Sequence, residues 1–139
     1  MAASVVLDAG PLVALLDRND PHHAWAHAQA DQLIEPMITC EAVLSESAFL
    51  LDGIDPGYLR LNSFVREGFL RLAFDLDDHF AAVAALMAKY HDTPLSLADA
   101  CLVRMTELHS NCRVFTLDSD FRRYRRHGRQ TIPLICPAA

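Results

Sequence analysis

The sequence predicts an α/β fold: a parallel sheet with helices on both faces. Three observations carry this expectation. Short apolar runs alternate with longer helix-periodic segments almost throughout, the pattern of strands joined by helical crossovers. Asp, Pro and Gly punctuate the junctions, as at Asp20-Pro21, Asp52-Gly53 and Asp55-Pro56-Gly57. No repeat, low-complexity tract or linker interrupts the alternation, so residues 1–139 are expected to form a single domain large enough to hold its own core.

Taken in order, Ser4-Val5-Val6-Leu7 is a short apolar run that ends at Asp8 and reads as the first strand. Ala9-Gly10-Pro11 follows as a turn, with Pro11 suited to a first helical position, and Leu12 to Leu16 continues as a short buried helix. Asp20-Pro21 resembles a cap plus first residue, opening a helix from His22 to about Leu33. Pro36-Met37-Ile38 is the next short strand. A helix then starts at Thr39 or Cys40 and runs to about Leu51, where Asp52-Gly53 stops it. Asp55-Pro56-Gly57 starts another helix, through about Val65. Phe69 to Phe74 reads as a strand, Asp77 to Tyr90 as a long alanine-rich helix, and Ser96 opens a helix to about His109. Arg113 to Leu117 is a strand followed by a short turn or helix, and Thr131 to Ile135 is the last strand.

Apolar residues make up 52% of the chain, slightly rich for an ordinary soluble domain, which leaves room for a subunit or partner interface. The longest apolar runs are too short to cross a bilayer. The N-terminus has neither the basic region nor the apolar stretch of a signal peptide, so a cytoplasmic location is expected. Cys40, Cys101, Cys112 and Cys136 are scattered without Cys-x-x-Cys spacing and read as free core thiols. A net charge of −6 argues against gripping nucleic acid by bulk electrostatics, yet it is compatible with a nuclease whose acids hold a metal.

Four acids carry the functional argument: Asp8, Glu46, Asp99 and Asp118. Each stands at the end of an apolar element or inside an apolar stripe, where an unpaired carboxylate is costly. Asp8 ends a strand, where open α/β sheets bind ligands, although an Asp there can also bond turn amides. On the third predicted helix Ala42, Val43, Phe49 and Leu50 make an apolar stripe, and Glu46 falls within it. Asp99 fits a capping box with Ser96, and Asp118 fits a cap after Val114-Phe115-Thr116-Leu117, with Asp120 two residues on. Capping therefore accounts for three of the four, but not for Glu46, nor for why all of them gather at strand ends and nearby helix turns. Several converging acids with few basic neighbours in sequence point to a hard divalent cation, and Thr116 is placed to add a hydroxyl at the same point.

These residues resemble the PIN-domain family, and within it the VapC-like toxins of bacterial toxin–antitoxin pairs. The likeness lies in Val6-Leu7-Asp8-Ala9-Gly10-Pro11, in Leu44-Ser45-Glu46-Ser47-Ala48-Phe49, in Leu95-Ser96-Leu97-Ala98-Asp99-Ala100 and in Val114-Phe115-Thr116-Leu117-Asp118-Ser119-Asp120-Phe121, and it spans nearly the whole chain. It implies a PIN-like three-layer α/β/α fold with a short central parallel sheet. It further implies that Asp8, Glu46, Asp99 and Asp118, with Asp120 as a fifth, hold one or two Mg²⁺ or Mn²⁺ ions in an endoribonuclease. A homodimer and a small antitoxin that blocks the site belong to the same implication. None of the four acid positions departs from the family's pattern.

The expected chemistry is metal-assisted hydrolysis of an RNA phosphodiester. Asp8 and Asp99 would be the main ligands, and Glu46 or Asp118 the general base. Arg122, Arg123, Arg125, Arg126 and Arg129, five of the twelve basic residues, follow the last acids directly. They read either as a phosphate-gripping rim or as a solvated basic segment. His23 and His27 are one helical turn apart, but no Cys or acid at zinc-site spacing accompanies them. Trp25 reads as packing. A haloacid-dehalogenase-like phosphatase would need a second Asp where Gly10 stands, and a receiver domain carries its phosphorylated Asp after a later strand. The stronger alternative is a catalytically silent PIN-like module that binds RNA or protein.

Overall fold

β1 (Ser4–Leu7) runs through the middle of the molecule with all four residues buried. The computed structural model describes residues 3–138. The further strands are β2 (Met37–Thr39), β3 (Leu70–Leu72), β4 (Cys112–Phe115), β5 (Arg125–Arg126), β6 (Gln130–Thr131) and β7 (Leu134–Ile135). The helices are α1 (Ala9–Leu16), α2 (His23–Asp31), α3 (Glu41–Leu50), α4 (Gly57–Arg66), α5 (Leu76–Lys89) and α6 (Leu97–Leu108). Five strands form one sheet in the order β3-β2-β1-β4-β7 with every pairing parallel, while β5 and β6 form a separate antiparallel hairpin. Among the described residues no helix is long and apolar enough to cross a membrane.

The chain winds outward from β1 to β3, then returns to lay β4 on β1's other edge. Such a reversal opens a crevice at the C-terminal ends of the two central strands. The register makes the crevice level. Leu7 pairs with Phe115, so Asp8 and Thr116 leave the sheet side by side, and the Asp8 amide donates to the Phe115 carbonyl at 3.0 Å.

Alternation along β1 splits the core in two. Val6 packs on one face with Ile38, Val114, Val83 of α5 and Leu102 and Met105 of α6. Val5 and Leu7 pack on the other with Phe115, Leu12 of α1, Ala26 of α2 and Leu61 of α4. Each fully buried Leu, Val or Phe stabilises the fold by about 1.5–3 kcal/mol, so these faces fix where the strand ends stand. Trp25 meets the Phe115 ring edge-on at 5.6 Å, which is the packing role expected of it.

The α/β class and the parallel sheet are as expected, while several boundaries differ. α1 begins at Ala9, because the Asp8 side chain caps it through the Ala9 amide. α2 begins at His23, because Asp20 turns back to accept from the His22 amide instead of capping the helix. The strand expected over 69–74 is only Leu70–Leu72 at the sheet edge, and the one expected over 113–117 is Cys112–Phe115. Thr131 belongs to the hairpin, whose turn places His127 and Gly128 at positive φ, and the last sheet strand is confined to Leu134–Ile135.

The apolar stripe expected on α3 is overturned. Val43 and Ser47 are its buried positions, whereas Phe49 is 79% exposed and Leu50 46%. Ser47 tolerates the interior because its hydroxyl donates to the Val43 carbonyl at 2.8 Å. Glu46 is accordingly on an exposed face, not embedded among apolar side chains.

Candidate active site

Asp8 leaves β1 at the crevice, only 7% exposed. One carboxylate oxygen accepts from the Ala9 amide at 2.8 Å and the other from the Thr116 hydroxyl at 2.7 Å. Thr116, fully buried, also accepts from the Asp118 amide at 2.9 Å. One hydroxyl therefore links the end of β1 to the turn after β4. Thr39 steadies the same strand end from β2 by donating to the Leu7 carbonyl at 2.8 Å.

Asp99 is in the first turn of α6. Ser96 accepts from the Asp99 amide at 3.0 Å and the Asp99 carboxylate accepts from the Ser96 amide at 3.2 Å, so the capping box forms as the sequence indicated. Asp118 caps a short 3-10 turn (Ser119–Arg122) by accepting from the Asp120 amide at 2.8 Å. Capping is thus real at all three aspartates. It occupies one oxygen of Asp99 and one of Asp118. Glu46 makes no such bond and stands at the rim on α3.

Caps alone leave the charge unexplained. Asp8, Glu46, Asp99 and Asp118 line a single open pocket of about 410 Å³ together with Ala9, Gly10, Ser96 and Leu117. No Lys, Arg or His is among the lining residues. Burial pushes the Asp8 carboxyl up; the Thr116 and Ala9 hydrogen bonds oppose this, and the charges of Glu46 and Asp118 add to it. Burial also pushes Asp99 up to about 6, against its Ser96 backbone bond and with help from the charges of Asp8 and Asp118. Glu46 is raised by what desolvation it has at the rim and then by Asp99. The three raised acids sense one another's charge, an arrangement that a bound cation would relieve.

Hard oxygen donors with unbalanced negative charge suit Mg²⁺ or Mn²⁺. Among the described residues no three His, Cys, Asp or Glu side chains close into a ligand set. The four acids ring the pocket without clasping one point. Mg²⁺ keeps several of its waters and needs few direct protein ligands.

Other expected site residues are placed differently. Asp120 is not among the residues lining the pocket; its carboxylate pairs with Arg123 at 2.9 Å. Arg126 is half-buried and donates to the Thr106 and Ser110 carbonyls, both at 3.2 Å, so it closes the C-terminal end of α6 and is not available to a rim. Arg125 donates to the Arg122 carbonyl at 2.7 Å, and Arg122 to the Pro137 carbonyl at 3.1 Å. Arg122, Arg123 and Arg129 remain exposed. His23 and His27 turn ring nitrogens to the Ala14 and Leu15 carbonyls, at 2.6 and 3.3 Å. Two supporting residues had no distinctive signal in the sequence. Thr39 is one, and fully buried Tyr124 is the other, whose hydroxyl donates to the Pro94 carbonyl at 2.6 Å just before α6.

The model of the PIN domain family matches residues 5–127 of this chain, which takes in all four strands and helix turns that carry the acids. The chain belongs to the PIN domain family. Among solved structures, the PIN domain described here is similar to VapC20 of Mycobacterium tuberculosis, a sarcin–ricin loop cleaving toxin. The two share 16% identity and a TM-score of 0.74, covering 84% of this chain and 91% of that one. That likeness extends the fold over nearly the full length of both. FitAcB from Neisseria gonorrhoeae also matches, at 16% identity and a TM-score of 0.47, covering 83% of this chain and 88% of that one. Among curated proteins no sequence matches this PIN domain.

Proposed function

We propose that this PIN domain is a divalent-metal-dependent endoribonuclease and the toxin of a toxin–antitoxin pair. The observation that carries the reading is the single pocket ringed by four carboxylates from four parts of the chain with no basic side chain in its lining. We take residues 1–139 as one functional domain working in the cytoplasm. RNA is the substrate class because VapC20, with the same fold, is a sarcin–ricin loop cleaving toxin. A small antitoxin and a second copy of the chain are the partners that the family resemblance implies.

Asp8 and Asp99 would hold the cation, with Glu46 and Asp118 completing the set directly or through water. A divalent cation held there supplies charge to offset the phosphate and increases the acidity of a nearby water. The chain's own residues do the rest. Asp8 is held by two hydrogen bonds and cannot swing away from the pocket. Asp99 is fixed by its capping box. Asp118 has one oxygen committed to the Asp120 amide, whereas Glu46 makes no hydrogen bond among the described residues, which leaves its carboxylate free to act as general base. Glu46 is therefore the acceptor for the attacking water's proton.

Purified protein given total cellular RNA with Mg²⁺ or Mn²⁺ should produce discrete cuts that name the target when new 5′ ends are mapped, and EDTA should abolish them. Metal binding without cleavage of any RNA would instead support the silent binding module. Thr116→Val keeps the side chain's shape but removes both the donor to Asp8 and the acceptor for the Asp118 amide. It should lower cleavage by about 10–100-fold, the usual cost of losing a group that orients a metal ligand, and single-turnover rates would show it. Reversing Arg122 and Arg123 to Glu should weaken RNA binding and flatten its salt dependence, since each lost phosphate contact reduces the slope of log K against log salt by about 0.7–0.9. An unchanged salt slope would remove these two from the RNA path.

A further inference from the structure

Two of the four cysteines meet in a cleft beside the carboxylate pocket. Cys40 is the N-cap of α3, and Cys101 stands two residues beyond Asp99 on α6. They are 2% and 1% exposed. Both line a cleft of about 240 Å³, walled also by Phe74 and Asp77, that shares no residue with the pocket of the four acids. The two thiols are within hydrogen-bonding reach of each other.

Local structure does not account for Cys40. The N-cap position favours Ser, Thr, Asp or Asn, and an apolar residue there forgoes a capping bond. The Cys40 thiol makes no capping hydrogen bond, although the Ala42 and Val43 amides lie close enough to favour its thiolate. Packing alone does not require sulfur at both positions. The two cysteines also join the two helices that matter most to the site's shape, because α3 carries Glu46 and α6 carries Asp99.

We propose that Cys40 and Cys101 form a peroxide-sensitive dithiol whose closure to a disulfide alters the relative placement of Glu46 and Asp99. The Cys40 thiolate attacks one oxygen of a peroxide, breaking the O–O bond and giving a sulfenic acid and hydroxide. The Cys101 sulfur then displaces the sulfenic oxygen, which leaves with a proton as water. With hydrogen peroxide as oxidant, two thiols and one peroxide become one disulfide and two waters. The S–S bond, about 2.05 Å long, draws the start of α3 against the first turns of α6. A reversible bond of this kind is the use disulfides have in a reducing compartment. The cross-link itself is independent of the nuclease reading, and only its effect on cleavage rests on that reading.

The test uses the intact chain, reduced and then treated with hydrogen peroxide. Expected are a mass lower by two hydrogens, a cross-linked peptide containing Cys40 and Cys101, and full reversal by dithiothreitol, with Cys112 still open to alkylation after unfolding. Mn²⁺ titration by calorimetry should show affinity about tenfold lower in the oxidised protein, the scale on which disturbed ligand support acts. Cys101→Ser should abolish the cross-link and the loss of affinity together. Cys40 and Cys101 that both stay alkylatable after peroxide, or a cross-link through Cys136, would overturn the pair. A Cys40–Cys101 disulfide that leaves Mn²⁺ affinity unchanged would overturn its effect on the site. Absence of cleavage in both redox states, with the affinity change present, would count against the nuclease reading alone.

Discussion

Asp8→Asn should reduce RNA cleavage by roughly 10³-fold or more, the scale of losing a directly acting catalytic group, while the protein remains folded. Asp8 is the most enclosed of the four acids and receives hydrogen bonds on both oxygens. An Asn can keep the bond from the Ala9 amide through its carbonyl. Its amide nitrogen then faces Thr116, whose hydroxyl must reverse and give up donating to residue 8. That rearrangement is local, because Leu7, Phe115 and the β1–β4 pairing hold the strand ends from outside the pocket. What disappears is the negative charge that a cation would need. Circular dichroism and thermal melting separate a lost site from a lost fold, and cleavage near wild-type levels would remove Asp8 from the mechanism.

The sequence made the fold legible where physics is local. Alternation of apolar runs and helical segments marks parallel crossovers, and Ser96 three before Asp99 marks a helix start that is found in place. The β-branched run before Asp8 is the central strand. What could not be read is tertiary in origin. Ser47 lies inside and Phe49 outside because α3 packs through the Val43–Ser47 side, a choice made by its neighbours and not by its own pattern. The sequence marks Glu46 through an apolar stripe that the folded α3 does not present. Glu46 lines the pocket for a different reason: its exposed face looks across at Asp99. The arginines after Asp118 resemble a uniform basic run, yet Arg126 is drawn in to close α6 while Arg122, Arg123 and Arg129 stay out. Asp120, two residues from Asp118, is turned away by Arg123.

Divalent metal should stabilise the protein strongly at pH 8 and hardly at all at pH 5. The folded state holds Asp99 with a pKa of about 6 against an ordinary value of 3.8, and Asp8 is shifted in the same direction. An acid raised on folding contributes stability that is complete below its unfolded pKa and is lost as pH rises through its folded one. For Asp99 that window runs from about pH 4 to about pH 6, so above it the metal-free protein carries the full repulsion among the acids. A cation binds the ionised set and adds RT ln(1 + [L]/Kd), about 2.7 kcal/mol at a hundredfold excess over Kd. Below pH 5 protons compete for the same oxygens and the gain fades. Asp99→Asn should remove this behaviour from both directions. In EDTA the variant should be the more stable at pH 8 by about 1 kcal/mol once solvent screening of a half-exposed group is allowed for. It should match wild type near pH 4 and gain little from Mn²⁺ at any pH. Melting both proteins with EDTA and with Mn²⁺ across pH 4–8 isolates the pocket's contribution, because titrating groups away from the pocket cancel in the difference. A metal shift of equal size at pH 5 and pH 8, or one retained by Asp99→Asn, would mean that the cation is held elsewhere and that the three aspartates serve only as caps.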